Sequence, residues 1–270
     1  MTRQELSRLI RQKQSYLCVG LDSDISRIPK HLLSQPDPVF SFNKAIIDAT
    51  REFCVAYKIN TAFYESRGIR GWESLERTLA YIPETHFRIA DAKRGDIGNT
   101  AHHYAKTFFE TFGFDAVTVA PYMGEDSVTP FLQYPGKWTI LLGLTSNEGS
   151  RDFQLQKTGD GEYFYEKVIQ QATQWGTADN LMFVVGATQD AQLSAIRSRI
   201  PEHFLLVPGV GAQGGSLEAI SRHGLTPEGG LLVNASRAVI FAGNGPDFAE
   251  DAAAAARQYQ QEMQACLEET

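Results

Sequence analysis

Cysteine is scarce in this chain of 270 residues, and the three present, Cys18, Cys54 and Cys266, lie far apart in apolar runs. An odd set without paired metal spacing excludes a disulfide framework and a thiolate metal site, and reads as buried reduced thiols. Positive charge is in short supply too: 25 Lys and Arg against 32 Asp and Glu leave a formal net charge of −7. Such a balance provides no global field to gather nucleic acid, so any anionic ligand must be held by a few locally placed cations. Long hydrophobic runs are also missing. No apolar stretch reaches the roughly 20 residues of a membrane span. Residues 1–14 read as a polar helix with Leu6, Leu9 and Ile10 on one face, not as a secretory leader. These absences leave a cytoplasmic enzyme or binding protein with neither membrane nor nucleic acid as partner.

What is there is an ordinary globular composition, 43% hydrophobic and 21% charged, in a chain long enough to bury a core without disulfide or metal staples. Strand-like runs recur about every 25–40 residues, each usually followed by a helical pattern, as in βαβ units. They are Tyr16–Asp22, Val55–Asn60, Phe87–Lys93, Ala116–Pro121, Trp138–Leu144, Leu181–Gly186, Phe204–Gly209 and Gly230–Asn234. Most are continuously apolar, as expected of parallel strands covered on both faces. Eight alternations in this length predict an α/β protein with a (β/α)8 barrel, formed by residues 1–270 as one domain.

The clearest helix follows the third strand, with Ala101, Tyr104, Ala105, Phe108, Phe109 and Phe112 on one stripe and Asn99 as its expected cap. The last helix is expected from Pro246, near its first turn, through Phe248, Ala252, Ala256, Tyr259, Met263 and Cys266. Residues 145–160 lack a clear pattern and leave the fifth strand at the face where barrel enzymes keep their active sites, so they are expected to form a lid.

The ends of the first three strands are charged. The first ends in Asp22, the second carries Lys58, and the third reads Asp91-Ala-Lys93-Arg-Gly-Asp96. Asp91 and Lys93, two apart on a strand, point to the same face, and Asp96 begins the turn into the next helix. A single charge at such a place is usually a solvated loop residue or a plain ion pair. Three consecutive strands delivering alternating charges to one partly desolvated rim are harder to explain that way. A lysine held between carboxylates keeps its proton, which makes Lys93 a proton donor toward a developing carbanion and not a base.

After the seventh strand, Pro208-Gly209-Val210-Gly211-Ala212-Gln213-Gly214-Gly215 contains G-x-G-x-x-G. A dinucleotide fingerprint belongs after the first strand of a Rossmann unit, with an acidic residue ending the next one. Here the next strand ends in Asn234-Ala235-Ser236-Arg237, which suits a phosphate monoester. The adjacent His102 and His103 diverge on a helix and lack metal-ligand spacing. Asp22-Ser23-Asp24 beside a lysine makes a poor divalent site, so neither metal nor cofactor is expected. Ser146 has no nucleophile-elbow context and reads as a hydrogen-bonding residue.

Asp91-Ala-Lys93-Arg-Gly-Asp96-Ile97 followed by Thr100 resembles the D-x-K-x-x-D-I signature of the orotidine 5′-phosphate decarboxylase family, in its longer bacterial form. The resemblance extends to Val19-Gly20-Leu21-Asp22, Tyr57-Lys58-Ile59-Asn60, Pro121-Tyr122-Met123-Gly124, Thr145-Ser146-Asn147 and residues 208–213. It implies a cofactor-free decarboxylation of orotidine 5′-monophosphate to UMP in pyrimidine biosynthesis. By this resemblance Asp22 and Lys58 bind ribose hydroxyls, and Asp91 and Lys93 flank the reacting carbon. Ser146 reads the pyrimidine, while Gln213 and Arg237 grip the phosphate beside Pro208, Gly209 and Ser236. Asp96 and Thr100 enter the partner's site in a homodimer.

Two other readings fit a phosphate-binding barrel. A metal-dependent sugar-phosphate lyase or epimerase would require a clustered metal site, and a non-catalytic phosphometabolite-binding barrel would have no use for Asp91 and Lys93 together.

Overall fold

Eight parallel strands close into a barrel in chain order, each pairing with the next and the last with the first. The computed structural model describes residues 1–187, 190–210 and 215–269. The strands are β1 (Leu17–Gly20), β2 (Ala56–Asn60), β3 (Phe87–Arg94), β4 (Ala116–Val119), β5 (Trp138–Leu144), β6 (Leu181–Val185), β7 (Leu205–Pro208) and β8 (Leu231–Ala235). They coincide with the expected runs to within one or two residues. β1, β4, β6 and β8 are buried along their whole length, which accounts for their continuous apolar runs.

The floor, at the strands' N-terminal ends, is aromatic. The Trp138 ring of β5 meets Phe87 of β3 at 6.1 Å and Phe204, just before β7, at 6.2 Å, both edge to face. These come from alternate strands, as barrel layers do. Helix Arg3–Lys13 starts from a capping box between Thr2 and Glu5 and buries Leu6 and Ile10. Arg197 fastens the floor further, donating to the carbonyls of Ile200, His203, Gly224 and Gly230 at 2.6–3.0 Å.

Several local expectations need correction. Asn99 does not cap the helix after β3; that helix runs Gly98–Lys106 with Ile97 at the capping position, because the turn at Asp96 brings the chain in two residues early. Its apolar stripe continues through a wider turn, Thr107–Thr111, which buries Phe108 and Phe109. The last helix begins at Phe248, with Asp247 rather than Pro246 adjoining it. Cys18 and Cys54 are buried thiols, whereas Cys266 is half-buried.

Residues 145–160, the expected lid, leave β5 as an excursion with local ties of its own. It contains the helical turn Ser150–Phe153. Gln154 accepts from the Thr145 amide at 2.7 Å and donates to the Thr145 hydroxyl at 2.9 Å. Downstream, Lys167 pairs with Asp160 and Glu162, and Arg199 reaches Glu162 and Glu166 at 3.0 and 3.3 Å. Each pair is weak alone; together they hold the end of the excursion to the helix Phe164–Ala172, and that helix to Asp190–Arg199.

Candidate active site

Parallel register brings the charged residues together. Gly20 lies opposite Lys58, and Asn60 opposite Asp91, so the ends of β1, β2 and β3 share one rim. Lys58 is nearly sealed, its side chain 4% exposed, with Nζ 2.7 Å from Asp91 Oδ2 and 3.6 Å from Asp22 Oδ1. The other Asp91 oxygen, Oδ1, lies 2.5 Å from Lys93 Nζ and accepts the Thr118 hydroxyl at 3.0 Å. Burial alone would raise the Asp91 pKa, but the Lys58 and Lys93 ammonium groups outweigh it and hold the carboxyl well below the usual range. Burial likewise acts against the charge of Lys58, and Asp22 and Asp91 overcome it, raising its pKa. The result is a row of fixed alternating charges, buried at the Lys58 end and open at Lys93, whose side chain is 51% exposed.

The same-face expectation for Asp91 and Lys93 is met by a different backbone. Ala90 pairs with Val117 and Arg94 with Val119, so residues 91–93 bulge opposite Thr118 alone. Lys93 itself has φ 46°, a left-handed conformation uncommon for a residue with a side chain. Strand parity therefore pointed to the right pair without foreseeing the irregularity that joins them.

The opposite wall comes from β7 and β8. Pro208, Gly209, Asn234, Ser236 and Arg237 line a cavity of about 160 Å³ together with Asp22, Lys58 and Asp91. Gly20 permits this: a Cβ there would lie 2.0 Å from Ser236 Oγ and 3.0 Å from Asn234 Oδ1. Asn234 donates to Ser236 Oγ at 3.1 Å, while its own buried Oδ1 has no hydrogen-bond partner among the described residues. Arg237 is exposed at the rim.

Ser146 stands at the same end, just past β5, outside the residues lining this cavity. Gly186 lets it pack closely, since a Cβ at 186 would come within 2.7 Å of the Ser146 backbone nitrogen. Asp96 and Thr100 are not drawn into the cavity; the Asp96 carboxylate accepts from the adjacent Ile97 amide at 2.8 Å, and Thr100 is exposed. Gln213 falls outside the described residues. His102 and His103 are both exposed on their helix. Among the described residues no group of three or more His, Cys, Asp or Glu side chains is arranged to hold a metal ion.

Thr118 was missed in the sequence, and Asn60 and Asn234 were read there only as members of longer motifs, with no place of their own in the site. A polar residue inside a buried apolar strand is the available signal, because it must find a partner there. A wider groove, about 710 Å³, lies between residues 26–31 and 241–246. Its basic side chains are Arg27, Lys30 and His31, with no carboxylate beside them, so the paired acid–base groups lie in the smaller cavity.

Comparison with known proteins agrees with this arrangement. The sequence model of the Orotidine 5'-phosphate decarboxylase / HUMPS family matches residues 15–254. An orotidine 5'-phosphate decarboxylase of Christiangramia forsetii is 58% identical over 271 residues, covering 99% of each chain. One from Bacteroides fragilis is 56% identical over 266 residues and 97% of each chain. Among solved structures, the OMP decarboxylase of Leishmania donovani superposes with a TM-score of 0.85 at 36% identity, covering 99% of both chains. With its charge row on β1–β3, Arg237 at the rim after β8 and a family match over nearly its whole length, the chain belongs to the orotidine 5'-phosphate decarboxylase / HUMPS family.

Proposed function

We propose that this protein decarboxylates orotidine 5′-monophosphate to UMP without a cofactor, with Lys93 as the proton donor. The observation that carries the assignment of roles is the Lys58–Asp91–Lys93 row, two ammonium groups on the two oxygens of one nearly buried carboxylate. Breaking the bond between the pyrimidine carbon and the carboxylate leaves the electron pair on the carbon as CO₂ departs. That pair has no good resonance sink, so fixed charge must stabilise it. Lys93 Nζ supplies that charge and then a proton to the carbon, completing UMP, and regains its proton from solvent. Asp91, held ionised, sits beside the departing carboxylate and keeps the ammonium aimed. Lys58 and Asp22 take the ribose hydroxyls, and Ser146 takes the pyrimidine.

The phosphate is held by Arg237 and Gln213, with the backbone near Pro208, Gly209 and Ser236. Such a monoester contact lies far from the reacting carbon and contributes by fixing the substrate and excluding water. Asp96 and Thr100 act in the partner's site of a homodimer. Ile97, Tyr122 and Met123, exposed apolar side chains after β3 and β4, support that reading by giving the Asp96 segment a surface to bury. The protein works in the cytoplasm.

The test is conversion of orotidine 5′-monophosphate to UMP by protein freed of metal with chelator. Full activity is expected. Activity that returns only with Mg²⁺ would replace this reading with a metal-dependent lyase. Lys93→Ala should lose more than about tenfold in turnover, a loss of at least about 1.4 kcal/mol in the transition state, while UMP binding changes little.

A further inference from the structure

The decarboxylase reading gives roles to Asp91 and Lys93 but does not say what keeps them in place. Asp91, Ala92 and Lys93 stand opposite one β4 residue, so the regular ladder cannot serve the Lys93 amide. That amide donates instead to the hydroxyl of Thr118 at 2.9 Å. Thr118 is buried, 1% exposed, in a strand whose other members, Ala116, Val117 and Val119, are apolar.

A hydroxyl has one proton and two lone pairs. Since the amide can only donate, the Thr118 oxygen accepts from it, and its proton goes to Asp91 Oδ1 at 3.0 Å. The same carboxylate oxygen receives Lys93 Nζ. One side chain thus holds Lys93 at its backbone and Asp91 at its carboxylate, closing a ring from amide to hydroxyl to carboxylate to ammonium. It does so where Lys93 has φ 46°, a conformation that persists only when its surroundings enforce it.

We propose that Thr118 is a positioning residue for the decarboxylation, its hydroxyl fixing the Asp91–Lys93 bulge so that the Lys93 ammonium stays on the Asp91 carboxylate; this rests on the decarboxylase reading above. Thr118→Val keeps the shape and removes both hydrogen bonds. Thr118→Ser keeps both bonds.

Two measurements test the proposal. In steady-state kinetics on orotidine 5′-monophosphate, Thr118→Val should lower kcat by about 10- to 100-fold, the scale of an ångström-sized misplacement, with KM changed by less than about threefold. Thr118→Ser should recover most of that loss. In amide hydrogen exchange, which needs no substrate, the Lys93 amide should exchange at least about tenfold faster in Thr118→Val and remain protected in Thr118→Ser. If Thr118→Val does not fold, Thr118→Ala, which deletes the hydroxyl without adding bulk, carries the same expectations. Turnover within about twofold of wild type in the hydroxyl-free variant, or a Lys93 amide equally protected in it, overturns the proposal. Wild-type protein that leaves the substrate unchanged overturns the decarboxylase reading instead, and the exchange comparison still decides whether Thr118 holds Lys93.

Discussion

Replacing Asp91 by Asn keeps nearly the same volume and removes the charge on which the Lys58–Asp91–Lys93 row depends. The cost can be apportioned from exposure. Lys93 is half in water, so losing its pair costs about 0–1 kcal/mol. Lys58 is 4% exposed and cannot be rehydrated in place. Breaking a buried pair typically costs about 3–5 kcal/mol, because the remaining charge stays desolvated. Asp22 lies 3.6 Å from the same ammonium and offsets part of that loss. The new amide also turns N–H donors toward at least one of the ammonium groups, and Thr118 can give its proton only to the amide oxygen. A net loss of about 2–4 kcal/mol follows. For a chain of this length that lowers the melting temperature by about 5 °C. The assay is urea unfolding at neutral pH, checked for reversibility, beside a thermal scan. Lys58→Met added to Asp91→Asn should restore much of the loss, since it removes the stranded ammonium. An Asp91→Asn protein as stable as wild type, or more so, would refute the argument that the carboxylate compensates the buried Lys58.

Gly20→Ala should weaken UMP binding by about tenfold in calorimetry, since the new methyl lies 2.0 Å from Ser236 Oγ and must disturb its bond with Asn234; unchanged affinity would separate that contact from the ligand site. Burial, with Arg197 and Arg3 nearby, lowers the His203 pKa to about 4, and both ring nitrogens lack hydrogen-bond partners among the described residues. The unfolded chain, with its histidine near about 6.5, takes up a proton that the folded chain refuses, so stability falls as pH drops from about 6.5 to about 4. After allowance for screening this amounts to about 1–2 kcal/mol, and His203→Phe should flatten that part of the urea-midpoint curve; an unaltered slope would acquit this histidine. Mixing inactive Asp96→Asn and Lys93→Ala proteins should restore about a quarter of wild-type turnover if Asp96 acts in the partner's site; demonstrated subunit exchange with no recovery would remove Asp96 from that role.

The barrel was legible because both-face burial writes continuous apolar runs that a helix cannot mimic at that length. The charge row was legible because Asp22, Lys58, Asp91 and Lys93 all lie from the middle of β1–β3 onward or just past them, where parallel register leaves little choice of neighbour. Thr118 was not, since a threonine among valines is also what a strand prefers for its shape. Nor was the bulge: parity counts residues, and a two-residue register shift is written in no single side chain. The ties of the excursion after β5 were not legible either, because an isolated Thr145–Gln154 or Asp160–Lys167 pair has no periodicity to mark it in the sequence.

The closure of β1 on β8 makes the order of assembly part of the chemistry. Leu17 pairs with Val233 and Val19 with Ala235, so the first strand waits for almost the entire chain before its free edge is covered. Contacts of such sequence separation form slowly, and an uncovered edge is open to pairing with other chains meanwhile. The cavity straddles this seam, with Asp22 following β1 and Ser236 and Arg237 following β8. A ligand gripping both sides therefore binds only the closed ring, and its binding free energy is added to the last joint the molecule makes.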